Sequence, residues 1–600
     1  MKFIGYYVSA LKLLLFFKKF LKGGIKLNFT LTNYYLNKTL NKNHKGEINL
    51  KKLLILSLTL MLVFAAGLGV MAAEKSPEET IRDYTYGGTI TLAETQSPEG
   101  MFNPLYSETT YDSDIVDLVF EGLTATNKNF EAEPALAQKW EISEDYKTYT
   151  FFLDNRAKFH DGEPLTAEDV KFTYKMFLHP DYSGVRASNF TPILGAEEYQ
   201  NGEADDVRGI EIIDDYTIKI TLKKVHAPFM PVTTSFGIVP KHILEEYDPA
   251  NMKKIDFNQN PIGSGAFKFV EYKTDEYTKL EAFEDFRSGR PYLDNVIWRY
   301  VDEPALVMML EKGEIDYAQI MASQFNRVKE LDNVTIHKQI RNGFGYLAIN
   351  TERDTPVSEK AVRQAIAHGI NRRGFQEQVM NGLAINVNSP ISQASWAYTD
   401  DLNQYEYKPE KAKEILREAG WEMKDGKFHK NGEPLAFTIN ASSGSEFINQ
   451  LVALAQDNLN SIGMDVEIRK MEFNTMSERA DNGELDIWFQ GWTFGADPDP
   501  YNVWHTEGDW NVTGFGNEKT DELIEEARTT LDQYKRRQLY VEFQKIWNES
   551  MPYLPMYANI YPQTINKRIR GFDPNPVAMR PFGQSWELLR EVWIPKSERK

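Results

Sequence analysis

The stretch Gly491 to Asn502, GWTFGADPDPYN, sets Trp492 and Phe494 beside the carboxylates Asp497 and Asp499 in a proline-stiffened turn. Such aspartates can hold a cation, and a half-wet tryptophan can stack on a ligand. Covalent chemistry has less support. The chain has no cysteine, which excludes thiol nucleophiles, thiolate metal sites, disulfides and a lipidated N-terminal cysteine. No G-x-S-x-G elbow is present. The nine histidines, among them His160, His226, His242 and His505, are scattered without metal-ligand spacing, so no metal and no cofactor is expected. Paired carboxylates stay open, because 87 acidic residues supply many pairs and a glycosidase dyad has no fixed spacing. A secreted glycosidase is therefore the reading from a different class. A formal charge of −19 disfavours nucleic acid and anionic membrane surfaces.

The elements around this turn have the periods of a mixed α/β protein. GGTITLAE alternates as a strand, and YDSDIVDLVFEGLTA spaces Ile115, Leu118, Val119 and Leu123 as on a helix. TYTFFLDNRAKF is expected as a strand hairpin, and Thr166 with Asp169 as the cap of a following helix. Ile210 to Lys224 predicts two strands hinged on Asp214-Asp215. NPIGSGAFKFVEY predicts a glycine-rich strand entry, since its GSG lacks the spacing and the Lys-Ser/Thr of a phosphate loop. Pro434 to Phe473 predicts strand, helix, strand in a parallel crossover, with Ser443 and Glu446 as a capping box. At 600 residues, more than one domain is expected.

Lys51-Lys52, the apolar run Leu53 to Met71, and Val70 and Ala72 at the positions a signal peptidase reads predict a secretory signal over 50–73; a membrane anchor is the alternative. Residues 25–50 are dominated by Asn, Lys, Leu, Tyr and Thr, and a membrane helix around Leu11 to Phe20 is the alternative to an untranslated leader. Lys45-Gly46-Glu47 are encodable by a ribosome-binding purine run, so translation is expected to start at Leu50, with 1–49 an extension.

Pro134 to Tyr174 closely resembles the signature region of family 5 extracellular solute-binding proteins, the peptide, dipeptide and nickel receptors of ABC importers. LVFEGL, NPIGSGAFKF, VRQAIAHGINR, YKPEKAKEILREAGW, LNSIGMDVEI, GWTFGADPDPYNVWH and GFGNEKTDELIEEAR follow in the family's order. The resemblance implies a two-lobed periplasmic-binding-protein fold of type II-like α/β architecture with an extra inserted subdomain and a ligand cleft between the lobes. Lobe I would span 84–302, lobe II 303–559, and 560–600 would return to lobe I, with crossings at Val301 to Pro304 and Tyr557 to Ile560. It implies an oligopeptide receptor delivering to ABC permease subunits, periplasmic, not lipidated, monomeric, without nucleic acid and not an enzyme. An oligosaccharide or nickel-chelate receptor is the alternative within the family. In peptide-binding members, the backbone matching Gly491, Trp492 and Thr493 pairs with ligand, and an aspartate holds the ligand ammonium. Here that aspartate's usual place is Gly495 or Ala496, so the resemblance passes the role to Asp497. By offset it places Glu108 and Thr110 on the opposite wall, and it offers Trp396 and Phe344 as stacking residues.

Overall fold

The computed structural model describes residues 86–574, 577–578 and 586–600, so the expected extension and signal segment lie outside the described residues. Among the described residues no helix is long and apolar enough to cross a membrane.

The chain begins with β1 (Thr89–Glu94) and α1 (Thr110–Val119). The Thr109 side chain caps α1 by accepting from Asp112 N–H at 3.1 Å. The Asp112 carboxylate in turn accepts from the N–H groups of Gly100 and Met101, at 2.9 and 2.8 Å, and so fixes the loop before the helix. Leu118 and Val119 are buried at the far end, where the GSG motif meets them. A Cβ on Gly263 would stand 2.0 Å from the Val119 carbonyl oxygen, so this glycine serves close backbone approach, not a phosphate.

The strands β2 (Ala137–Ile142) and β3 (Thr148–Leu153), the helix α2 (Ala167–Phe177), and the strands β4 (Ile210–Asp214) and β5 (Thr217–Thr221) form the inserted layer. Its sheet runs in the order β2, β3, β5, β4. Asp214 and Asp215 turn β4 into β5 as expected, and Thr166 and Asp169 make a capping box on α2. The hairpin expected from TYTFFLDNRAKF forms differently: β3 is a central strand whose partners are β2 and β5. After it the chain turns at Asp154, which accepts from the Arg156 N–H at 3.0 Å.

Next come β6 (Phe267–Lys273), β7 (Tyr277–Ala282), β8 (Asn295–Tyr300), α3 (Glu303–Glu311), β9 (Tyr317–Gln319), β10 (Val334–Arg341) and β11 (Gly343–Ile349). The remainder supplies β12 (Ala436–Ser442), α4 (Glu446–Ser461), β13 (Asp465–Met471), β14 (Ile487–Thr493), α5 (Glu518–Thr529), α6 (Gln533–Ser550) and β15 (Tyr553–Asn566). β12, α4 and β13 make the expected parallel crossover. Its cap differs from the expected one. Ser443 still belongs to the strand ladder, donating its N–H to Met471 at 2.8 Å, and Gly444 turns the chain at φ +95°, so Ser445 is the N-cap.

The main sheet has the order β13, β12, β14, β11, β15, β9, β1, β8, β7, β6. Its apolar cores divide into two lobes. One draws on residues 90–334 and 565–594. The other draws on residues 344–558. β15 serves both: its first part pairs with β11, and from Ile560 it pairs with β10 and then β9. The outward crossing does not fall at Val301 to Pro304. α3, β9 and β10 stay with lobe I, because Leu306, Leu310 and Val334 share a core with Ala93 of β1. Asn342, buried between β10 and β11, stands at the division.

Candidate functional site

β14 carries GWT at its end. It pairs with β11 along its whole length, Gly343 opposite Thr493 and Gly345 opposite Gly491. On its other edge it meets β12 only at Ile487 and Trp488. The Phe494 N–H donates to the Asn342 carbonyl at 2.8 Å, so Trp492, of the same parity, also faces β11. Gly491 and Thr493 therefore aim their N–H and C=O groups at the edge that β12 has left, a ready template for an extended chain.

Asn342 and Arg341 hold this edge in place. The Asn342 amide donates to the carbonyls of Phe494 and Gly495, each at 3.0 Å. The Arg341 guanidinium donates to Thr493 Oγ1 at 2.8 Å and passes beside Gly491. Trp492 turns to the opposite face, where its indole N–H donates to the Tyr553 hydroxyl at 3.3 Å and its ring lies 5.6 Å from Trp510.

Three cavities lie in series along this region. A cavity of about 140 Å³ is lined by Trp492, Trp504 and Trp510 of lobe II and by Phe130 of lobe I. Through Gly495 and Ala496 it adjoins one of about 410 Å³, whose lobe I wall includes Glu108 and Thr110. Thr110 also borders a third of about 300 Å³, which reaches Glu94, Asn559 and Tyr561. Residues of both lobes line the first two, the third is lined by lobe I and by Asn559 and Tyr561 of the β15 crossing, and the shared residues make the three one continuous cleft.

Trp492, Thr493 and Asp497 line the first of these cavities, Glu108 and Thr110 line the second, and Gly491 lines none of the three. Glu108 is exposed at the rim, 3.5 Å from Lys253. Asp497 is different. Both its oxygens accept from Arg536, each at 2.6 Å, and the two side chains are only 4% and 5% exposed. Burial works against the Arg536 charge, yet Asp497, with Tyr540 and Asp499, carries its pKa above the usual arginine range. Asp499 makes a single, less buried ion contact with Arg528 Nε at 2.9 Å, and burial pushes its carboxyl up. Neither expected stacking residue reaches the cleft cavities. Phe344 is fully buried against Tyr346 and Phe494, because the pleat turns it inward from β11. Trp396 packs on Arg536 and Tyr540 of α6. Sequence reasoning missed Glu94, Arg341, Asn342 and the two arginine partners; Glu94 and Arg528 close quoted motifs, but their motifs give no sign of what they face.

Across the cleft mouth the Ala227 N–H of lobe I donates to the Arg528 carbonyl of lobe II at 2.7 Å. His226 beside it is held neutral: burial pushes its imidazole down to about 3, Arg528 adding to the effect. On opening, this ring would regain an ordinary pKa near 6.5. Closure is thus favoured above that pH and weakened as pH falls below it. Between pH 7 and 5 the radius of gyration of the empty protein, by small-angle scattering, is expected to increase, and His226→Gln to remove the change. A constant radius in the parent protein would contradict this.

Among the described residues, no group of three or more His, Asp or Glu side chains is placed to hold a metal ion. The family model for bacterial extracellular solute-binding proteins, family 5 (middle), matches residues 131–513. The chain is 29% identical to the oligopeptide-binding protein AppA of Bacillus subtilis, over 88% of this chain and 97% of that one. The structure of AppA in complex with a nonapeptide superposes with a TM-score of 0.68 at 28% identity, covering 86% of this chain and all of that one. NikZ of Campylobacter jejuni, solved in complex with Ni(L-His), gives 0.67 at 28% identity over 84% and 99%.

Proposed function

The chain belongs to the bacterial extracellular solute-binding proteins of family 5, and from that premise we propose that it binds an oligopeptide between its lobes and delivers it to an ABC permease. The observation that carries the reading is the free edge of β14 at Gly491 and Thr493, which opens beside cavities lined by both lobes. Backbone pairing at such an edge gives affinity with little dependence on side chains. The cavity among Trp492, Trp504, Trp510 and Phe130 would take an apolar ligand side chain. Glu108 and Thr110 would form the facing wall, and the lobes would turn about Asn342 and the Tyr557 to Ile560 stretch of β15. AppA, whose structure was solved in complex with a nonapeptide, supports a peptide of several residues as ligand. We further read the protein as an exported, non-lipidated monomer of the periplasm that performs no turnover.

Mass spectrometry of small molecules released by denaturing gently purified protein tests the reading. Masses built from amino-acid residues are expected; hexose or pentose spacing would replace peptide with sugar. A second test addresses the edge itself. Thr493→Pro removes one outward N–H without touching the ladder to β11, and is expected to weaken peptide binding by about 1 kcal/mol, roughly fivefold. Thr493→Val keeps that N–H while losing the Arg341 bond, and should bind nearly as the parent protein does. Equal affinity of the proline variant and the parent in calorimetry would count against edge pairing.

A further inference from the structure

The third cavity holds polar groups that the protein leaves without a charged partner. Glu94 closes β1 and faces it, and no lysine, arginine or histidine among the described residues forms an ion pair with the Glu94 carboxyl. The neutral indole of Trp298 eases its charge only in part. Asn559, on the same wall, buries its Oδ1 without a hydrogen-bond partner. Both unmet groups are acceptors or become so on ionisation. Around them stand Tyr111 of α1, Tyr300 of β8, Tyr317 of β9 and Tyr561 of β15. The first three feel the negative charges of Glu94 and of the buried Asp114. Glu303, half-buried at the start of α3, adds a further carboxylate at the rim and accepts there from the Ser323 hydroxyl at 3.0 Å. A carboxyl without a cation, an orphaned amide oxygen and tyrosine rings are together what a desolvated ammonium or guanidinium would require.

We propose that this cavity is a cation subsite, in which Glu94 and Asn559 receive a positively charged nitrogen of the ligand. The inference rests on the peptide reading and sharpens it: the preferred peptides carry a lysine or arginine side chain, or a free α-ammonium, directed to Glu94. It also accounts for the aspartates of the DPDP turn, which already hold Arg536 and Arg528 and leave the ligand's charge to lobe I. The two walls divide the work. β14 of lobe II takes the backbone, and Glu94 of lobe I takes the charge, so a peptide satisfied at both ends draws the lobes together.

Burial pushes the Glu94 carboxyl up to about 8 in the empty protein. At pH 7 it is therefore mostly protonated, and a cation that binds must displace that proton. Affinity for a cationic peptide should rise as pH goes from 7 through 8 and level off above. Calorimetry at pH 7 in two buffers of different ionisation enthalpy should show about one proton released per peptide.

The test uses the full mature protein and pools of random peptides, two to nine residues long, with free or acetylated N-termini; retained peptides are identified by mass spectrometry. Enrichment of Lys and Arg in both pools would place a side chain in the subsite, and retention restricted to free N-termini would place the α-ammonium there. In either case Glu94→Gln, which resembles the protonated group and should fold normally, is expected to erase the preference, to lower affinity for a chosen cationic peptide by about 10- to 100-fold, and to abolish proton release. Peptides retained without any dependence on charge, or a preference unchanged in Glu94→Gln, would overturn the cation subsite while leaving the peptide reading in place. Retention of no peptide from any pool would overturn both.

Discussion

Asp497→Ala is expected to destabilise the protein by about 3–5 kcal/mol, because it strands the Arg536 charge in a dry site. Desolvation decides the size of this effect. The pair is bidentate and almost wholly buried, with Tyr540 accepting a further bond from Arg536 at 2.9 Å, so loss of the carboxylate leaves the desolvated guanidinium without its one anionic partner in that pair. Arg536→Met should cost a similar amount by stranding the carboxylate. The double variant Asp497→Leu with Arg536→Met should recover most of the loss, since two apolar groups of like volume remove both unmet charges together. Denaturant titration of the parent, Asp497→Leu, Arg536→Met and the double variant measures the coupling directly. If Asp497→Ala unfolded at the parent's midpoint but no longer bound peptide, the aspartate would instead be a ligand anchor.

A second large loss, again about 3–5 kcal/mol, is expected for Asp316→Ala in lobe I. The Asp316 carboxylate is fully buried between α3 and β9, accepting from Thr91 N–H of β1 at 2.9 Å and from Arg568 at 2.6 and 2.5 Å. One side chain therefore joins the first strand of the described chain to the segment just after β15. Its removal leaves Arg568 uncompensated and frees a buried amide. Hydrogen exchange should show the damage locally, with protection lost in β1 and the second part of β15 and kept in β12 and β13. Equal loss in both lobes would mean that they unfold as one unit.

What could be read in the sequence follows from the range of the interactions. The crossover of β12, α4 and β13, the α2 capping box and the turn at Asp214 are written in contiguous residues and their periodicity. The GWT edge was legible through resemblance alone, since nothing local says that β12 stops at Trp488. Asp497 was misleading because its partner lies 39 residues away on a helix, and a carboxylate in a turn looks the same with or without an arginine over it. The outward crossing was displaced for a similar reason. β10 and β11 are separated only by Asn342, and no composition change marks the point where the chain exchanges one core for another. Glu94 gave no signal, being a carboxylate at a strand end whose isolation depends on residues drawn from four other segments.

The passage of β15 through both lobes governs when each can fold. Lobe II is built from one continuous stretch and can complete its core once Tyr553 to Ala558 is available. Lobe I cannot. Its core requires Ile565, Ile569 and Trp586, the last packed 4.5 Å from Trp298, so although β1 can pair with β8 and β9 earlier, the core beneath them stays incomplete until Trp586 is present. Contacts this distant in sequence close slowly. A nascent chain therefore carries lobe I in an unfinished state until Trp586 has been made, which for an exported receptor is the state a translocation channel can accept.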